Sequence, residues 1–205
     1  LNIFANETNA WRPEGVAENE LMAIFTGTHG MANGLDAALD AAVELKKRGR
    51  LDIKLVLVGQ GKLKEQLQLR ANEEQLDNVI FHSPVNKAKL AELMKGADIG
   101  MQLLANVPAF YFGTSPNKFF DYISAGLPVL NNYPGWLASM IKQHNCGYSV
   151  EPENPQAFAD ALEHAADNKN LLPEMGNRAQ MLAKQEFNRH NLADKWVIWV
   201  TGAVK

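Results

Sequence analysis

Apolar positions along the chain fall into two kinds of run that alternate from about residue 21 onward. The first kind is short and continuous: "LMAIFTG" at 21–27, "DIKLVLVGQG", "NVIFHSP", "DIGMQLL", "LPVLNN" and "GYSVEP". Runs of that length, apolar on both faces and closed by glycine or proline, predict strands buried on both sides of a parallel sheet. The second kind repeats every three or four residues. Leu35, Ala38, Leu39, Ala42, Val43 and Leu45 share one helical face in "NGLDAALDAAVELKKRG", which ends in a basic turn and Gly49. "KLKEQLQLRANEEQL" and "KAKLAELMKGA", with Leu90, Leu93 and Met94 aligned, predict two more helices. Others follow in the segment that Ser115 and Pro116 begin, at Trp136 to His144, and in "NPQAFADALEHAADN", where Asn154 is a cap and Pro155 the first helical residue. Two helices close the chain, the last with Leu192, Trp196, Trp199 and Val200 on a stripe.

Strand and helix alternate with no hairpin signal, internal repeat or low-complexity tract, which predicts an α/β fold with a doubly wound, Rossmann-like parallel sheet. Ligands of such sheets lie at the carboxyl ends of the strands. Four loops are nominated: Gly27 to Gly34, Gly59 to Lys64, His82 to Lys87, and Gly113 to Lys118.

In "FTGTHGMANG", Gly27, Gly30 and Gly34 allow close backbone approach, although the spacing matches neither a dinucleotide fingerprint nor a P-loop. His29 either donates to a phosphate or faces solvent. In "LVGQGKLK", Lys62 and Lys64 either lie in water or bring one ammonium to a diphosphate. "GTSPNKFFDYISAGLPVLNN" concentrates more chemistry. Ser115 is read as the N-cap and Pro116 as the first helical residue, leaving the amides of Asn117 and Lys118 free for an anion beside the Lys118 charge. Asp121, about one turn on, can accept two hydrogen bonds from a ribose diol; alternatively Lys118 and Asp121 form a solvent-exposed pair of little weight.

Composition narrows the classes. A net charge of −3 with both signs interspersed gives no field for nucleic acid. The single Cys146 excludes an intrachain disulfide or a zinc cluster; it reads as a buried structural thiol in a reducing compartment. No apolar run has the length of a membrane span, and there is no signal-peptide pattern. The opening "LNIFANETNAWRPEGVAENE" reads as a linker.

"SPNKFFDYISAGLPVL" resembles the donor-site motif of family 4 glycosyltransferases, which have the two-domain GT-B fold. Asp121 matches the motif's second acidic position, and Ala125, Gly126, Pro128 and Val129 its tail; the first acidic position falls on Gly113, so that glutamate is absent. The "G-x-SPNK" form is similar to that of bacterial amino-sugar and deoxyamino-sugar transferases of lipopolysaccharide O-antigen or capsule synthesis. The resemblance spans roughly residues 20 to 200.

The resemblance implies the C-terminal, donor-binding half of such an enzyme: residues 1–20 an interdomain linker, 21–186 the nucleotide-sugar-binding domain, and 187–205 a helix packing toward an absent N-terminal domain that carries the catalytic groups. Asp121 would take the ribose, Ser115, Asn117 and Lys118 the diphosphate, with Gly27 and Thr28 opposite, and the backbone near Pro84 and Val85 the uracil. Thr28 or His29 and Asn33 stand where relatives have loop cations, so the phosphate charge would rest on Lys118, Lys62 or Lys64. The implied donor is a UDP-sugar, a substrate rather than a cofactor, and no D-x-D metal pair occurs in the chain. The implied acceptor is a lipid-linked or lipopolysaccharide precursor, with retention at the anomeric carbon. The implied location is the cytoplasm, with a peripheral place at the inner face of the bacterial membrane if the terminal tryptophans dip into lipid. Two other readings remain: a UDP-amino-sugar 2-epimerase-like domain and a non-catalytic nucleotide-binding module.

Overall fold

The computed structural model describes residues 9–203. Six strands, β1 (Leu21–Thr26), β2 (Ile53–Val58), β3 (Val79–His82), β4 (Ile99–Gln102), β5 (Val129–Asn131) and β6 (Gly147–Ser149), form one sheet in the order β3-β2-β1-β4-β5-β6. Every pairing is parallel; Leu21 to Thr26 run in register with Ile53 to Val58. Helices α1 (Asp36–Lys47), α2 (Lys64–Glu73), α3 (Lys87–Gly96), α4 (Asn117–Ala125), α5 (Trp136–His144), α6 (Pro155–Asp167), α7 (Leu172–Glu186) and α8 (Arg189–Ala203) connect and follow them.

The continuous apolar runs have the cause expected of them. Leu21, Ala23, Phe25, Leu55 and Leu57 point into a core built with α1, α2 and α6. Met22, Ile24, Val56 and Val58 point into a second core with α3, α4, α5 and α7. A strand covered on both faces leaves few positions for a polar side chain. The α6 start also matches its sequence signals: Asn154 Oδ1 accepts from the Ala157 amide at 2.9 Å, and Pro155 is the first helical residue. Cys146 is buried, and its thiol is pushed up to about 11 by that burial, so it is a packing residue and not a nucleophile.

The strand order reverses direction between β1 and β4, because β2 and β3 build outward on one side and β5 and β6 on the other. Loops leaving β1 and β4 therefore diverge and open a crevice between them. Helix α4 is fixed above it by Tyr122, whose hydroxyl accepts from the Thr26 amide at 3.0 Å and shares a hydrogen bond with the Thr26 hydroxyl at 3.1 Å. The Tyr122 ring lies over Gly100 of β4: a Cβ there would stand 2.5 Å from the ring. Gly100→Ala is expected to lift α4 and to cost about 1–3 kcal/mol, measurable by chemical denaturation.

Residues 9–20 have no helix or strand but are held to the domain. The Trp11 amide donates to Glu92 O at 2.9 Å, the Lys89 ammonium sits 4.2 Å over the Trp11 ring, and Arg12 pairs with Asp98 at 2.7 Å. The remainder of the expected linker, 1–8, and Lys205 at the other end lie outside the described residues. On α8 the predicted stripe faces outward, with Trp196 62% and Trp199 70% exposed. No helix among the described residues is long and apolar enough to cross a membrane.

Candidate nucleotide-sugar site

The crevice is floored by two glycine turns pressed backbone to backbone. The Gly27 amide donates to Val58 O at 3.0 Å, the His29 amide to Gln60 O at 3.0 Å, and the Leu63 amide to His29 O at 3.0 Å. A Cβ on Gly59 would lie 1.8 Å from Gly27 O, and one on Gly61 2.3 Å from His29 O. A third contact joins the loops of β1 and β4. Gly34, in the left-handed region at φ +55°, would place a Cβ 2.7 Å from Ala105 Cα, and the Ala105 amide donates to Ala32 O at 3.0 Å. These glycines permit the loops to pack as one rigid surface.

Lys118 reaches over that surface from the first turn of α4. Its ammonium donates to Asn33 Oδ1 at 2.7 Å and lies 4.2 Å from the Phe25 ring centroid. It lies beside Gly27, where a Cβ would be in ordinary contact with it, 3.6 Å from Lys118 Nζ. Burial lowers the Lys118 pKa to about 8, so it remains mostly charged at neutral pH. Asp121 is half-buried, and its carboxyl is raised by that burial, with Lys87 at the start of α3 opposing the shift. Lys118 and Asp121 are not paired with one another among the described residues, so the exposed-pair alternative fails. Instead Lys118 faces the β1 loop, while Asp121 is near enough to Lys87, where the β3 loop meets α3, to feel its charge.

The helix start corrects one expectation. Ser115 is not the N-cap: α4 begins at Asn117, Pro116 is the cap at φ −80°, ψ 126°, and no side chain caps the end. The Phe119 amide is already bonded to Pro116 O at 3.1 Å, so the Ser115 hydroxyl sits one residue too early to serve the helix. It is exposed at the rim. Pro116 is therefore not the first helical residue either; Asn117 and Lys118 are the first two, and their amides have no intrahelical acceptor.

Lys64 departs from the water-facing lysine that its sequence context allows. It is buried, and its ammonium donates to Gly59 O at 2.9 Å and His82 O at 3.1 Å, stitching together the ends of β2 and β3. Lys62 is exposed. His29 does not face solvent either. Its ring is fully buried with centroids 6.1 Å from those of Phe25 and Phe81, and desolvation with nearby Lys64 lowers its pKa to about 4, so it is neutral at pH 7. Thr28 is exposed, and its carbonyl accepts from Asn33 Nδ2 at 2.7 Å. Two residues that position the site were not singled out as doing so. Tyr122 is signalled by its place next to Asp121; the contact between Asn33 and Lys118 spans 85 residues and has no local signature.

A cavity of about 530 Å³ adjoins the crevice and shares Met31 and Gly34 with it. Asp36, Asp40, Glu151 and Glu153 line it. Four carboxylates disfavour a diphosphate, so the crevice under Lys118 is the better anion site. No group of three or more His, Cys, Asp or Glu that could hold a metal occurs among the described residues.

The doubly wound parallel sheet, with glycine turns and a lysine-bearing helix start at its switch point, is a Rossmann-like lobe of the kind found in GT-B glycosyltransferases. Residues 7–181 match the glycosyl transferases group 1 family, and the chain belongs to that family. The lipopolysaccharide glucosyltransferase WaaG of Escherichia coli K12 is 26% identical over 191 residues, covering 93% of this chain and 49% of WaaG. A D-inositol 3-phosphate glycosyltransferase of Streptomyces coelicolor is 30% identical over 174 residues, 80% of this chain and 37% of the relative. Among solved structures, WaaG superposes with a TM-score of 0.71 at 26% identity over 92% of this chain and 49% of that one. Anabaena HepE in complex with UDP gives 0.77 at 15% identity, over 98% and 55%, a likeness of fold. The chain spans about half the length or less of the curated relatives it matches.

Proposed function

We propose that this chain is the nucleotide-sugar-binding half of a retaining family 4 glycosyltransferase. The sugar would be an N-acetylated amino sugar carried on UDP, and the acceptor a lipopolysaccharide or polysaccharide precursor. The observation that carries the reading is the Lys118 ammonium poised over Gly27 at the switch point, with Asp121 near Lys87 at the end of the β3 loop. Diphosphate oxygens would be met by Lys118 and the amides of Asn117 and Lys118, with Gly27 and Thr28 opposite. Asp121 would hold the ribose and the backbone at Pro84 and Val85 the base. As the sugar departs, negative charge grows on the leaving diphosphate, where a fixed ammonium and fixed amides stabilise it without reorganisation. Retention follows if the acceptor attacks from the face the diphosphate leaves.

The family membership, together with the similarity to the lipopolysaccharide glucosyltransferase WaaG and to an O-antigen chain mannosyltransferase of Escherichia coli, supports the transferase class and the acceptor type. The UDP complex of HepE supports the nucleotide. The "SPNK" form of the motif supports the amino sugar. The exposed tryptophans of α8 support the reading that this helix packs on the rest of a longer protein. A cleft closed by two halves is needed to exclude water, so the chain alone is expected to bind donor without transferring it. Titration calorimetry with UDP, UDP-GlcNAc and ADP tests the assignment. Both uridine ligands should bind, and ADP at least about tenfold more weakly, the discrimination expected of base-edge hydrogen bonds. Failure of all three to bind would overturn it, and epimerisation of UDP-GlcNAc by the chain would redirect it to an epimerase.

A further inference from the structure

We propose that Asn33 is the positioning residue of this site, holding the Lys118 ammonium over Gly27 and setting the pH range in which it stays charged. The inference rests on the donor-site reading above. Asn33 uses both ends of its amide: Oδ1 accepts from Lys118 Nζ at 2.7 Å, and Nδ2 donates to Thr28 O at 2.7 Å. Its backbone is held as well. The Asn33 amide donates to Gly30 O at 3.1 Å, and the next residue is Gly34, which is wedged against Ala105. These bonds fix the amide where the lysine meets it.

Among the described residues, Asn33 Oδ1 is the only hydrogen-bond acceptor of this ammonium. The other groups in contact with it carry no charge. β1 and its turn present the Phe25 ring and Gly27, and His29 beneath the neighbouring turn is neutral at pH 7. Asp121, one turn along α4, does not pair with it. Burial is what lowers the Lys118 pKa. A half-desolvated ammonium with one neutral acceptor depends strongly on that acceptor, since each hydrogen bond to the charged form favours that form. A neutral amide also leaves the positive charge uncancelled for an incoming diphosphate, which a carboxylate in the same place would not.

The test is UDP affinity by titration calorimetry from pH 7 to 8.5, above the range in which the terminal phosphate titrates and below that in which the uracil N3–H is lost. The wild-type chain should bind with an affinity that falls on an alkaline limb. Asn33→Ala should bind about 5–10-fold more weakly at pH 7, with the limb moved to lower pH. Asn33→Asp, isosteric and expected to fold, should move the limb to higher pH while weakening binding at pH 7, because its carboxylate competes with the diphosphate. A residue that only braces the loop would change affinity equally at every pH. A common limb in wild type, Asn33→Ala and Asn33→Asp, or a flat profile in all three, overturns the proposal. Lys118→Met separates the two levels: it should erase the limb, and if it leaves UDP binding intact the donor-site reading itself fails.

Discussion

Replacing Lys118 by Met is expected to weaken UDP binding about 30–100-fold at pH 7 while leaving the ligand-free chain at least as stable as the wild type. The first half follows from removing a charge-assisted contact to a diphosphate, worth roughly 1.5–3 kcal/mol per hydrogen bond. The second follows from what burial does to the lysine. Its pKa is about 8 in the folded chain against 10.5 ordinarily, so the charged form is disfavoured on folding. At pH 7 the side chain is protonated in both states, and the folded state carries a desolvation penalty on the order of 3 kcal/mol. Between pH 8 and 10.5 the unfolded chain holds the proton and the folded chain does not, so stability rises with pH across that window. Denaturant titrations at pH 7 and 9.5 should show that rise in the wild type and not in Lys118→Met. A variant that loses stability and keeps its UDP affinity would mark Lys118 as a structural residue.

Gly59→Ala is expected to be the most damaging single-methyl change at the site. The added Cβ would lie 1.8 Å from Gly27 O, a backbone atom that cannot rotate away. The two turns must then separate, breaking the bonds from the His29 amide to Gln60 O and from the Leu63 amide to His29 O. A cost of about 3 kcal/mol or more is expected, which for a domain of this size lowers Tm by roughly 6–12 °C. UDP binding should fall with it, because Gly27 and Lys118 lose their shared floor. Gly113→Ala is the matched control: a Cβ there meets nothing within 4 Å, and a change within about 0.5 kcal/mol is expected. Equal melting temperatures for Gly59→Ala and Gly113→Ala would show that the turns are not packed as described.

The sheet was legible in the sequence because its central strands have no exposed face. Ile53 to Val58 is apolar at almost every position, and such a run has few homes outside a covered parallel sheet. The helical face from Leu35 to Leu45 was legible for the complementary reason, since a one-sided contact writes its own periodicity into the chain. What failed was local detail governed by one residue. Ser-Pro-Asn read as cap, first turn and helix, yet Pro116 took an extended ψ and its own carbonyl started the helix, displacing Ser115 to the rim. Lys64 and His29 could not be placed because polar residues in a glycine loop can turn outward or inward. Here both turned inward, Lys64 to bridge two strand ends and His29 to fill space beneath a turn. The partnership of Asn33 with Lys118 was invisible for a different reason, as it exists only once β1 and β4 are brought side by side.

The most direct measurement is a crystal structure of this chain with UDP bound. A diphosphate oxygen within about 3 Å of Lys118 Nζ, with the ribose hydroxyls on Asp121, is the predicted result. UDP lodged instead in the acidic cavity between α1 and α6, or anywhere that leaves Lys118 and Asp121 untouched, would contradict it.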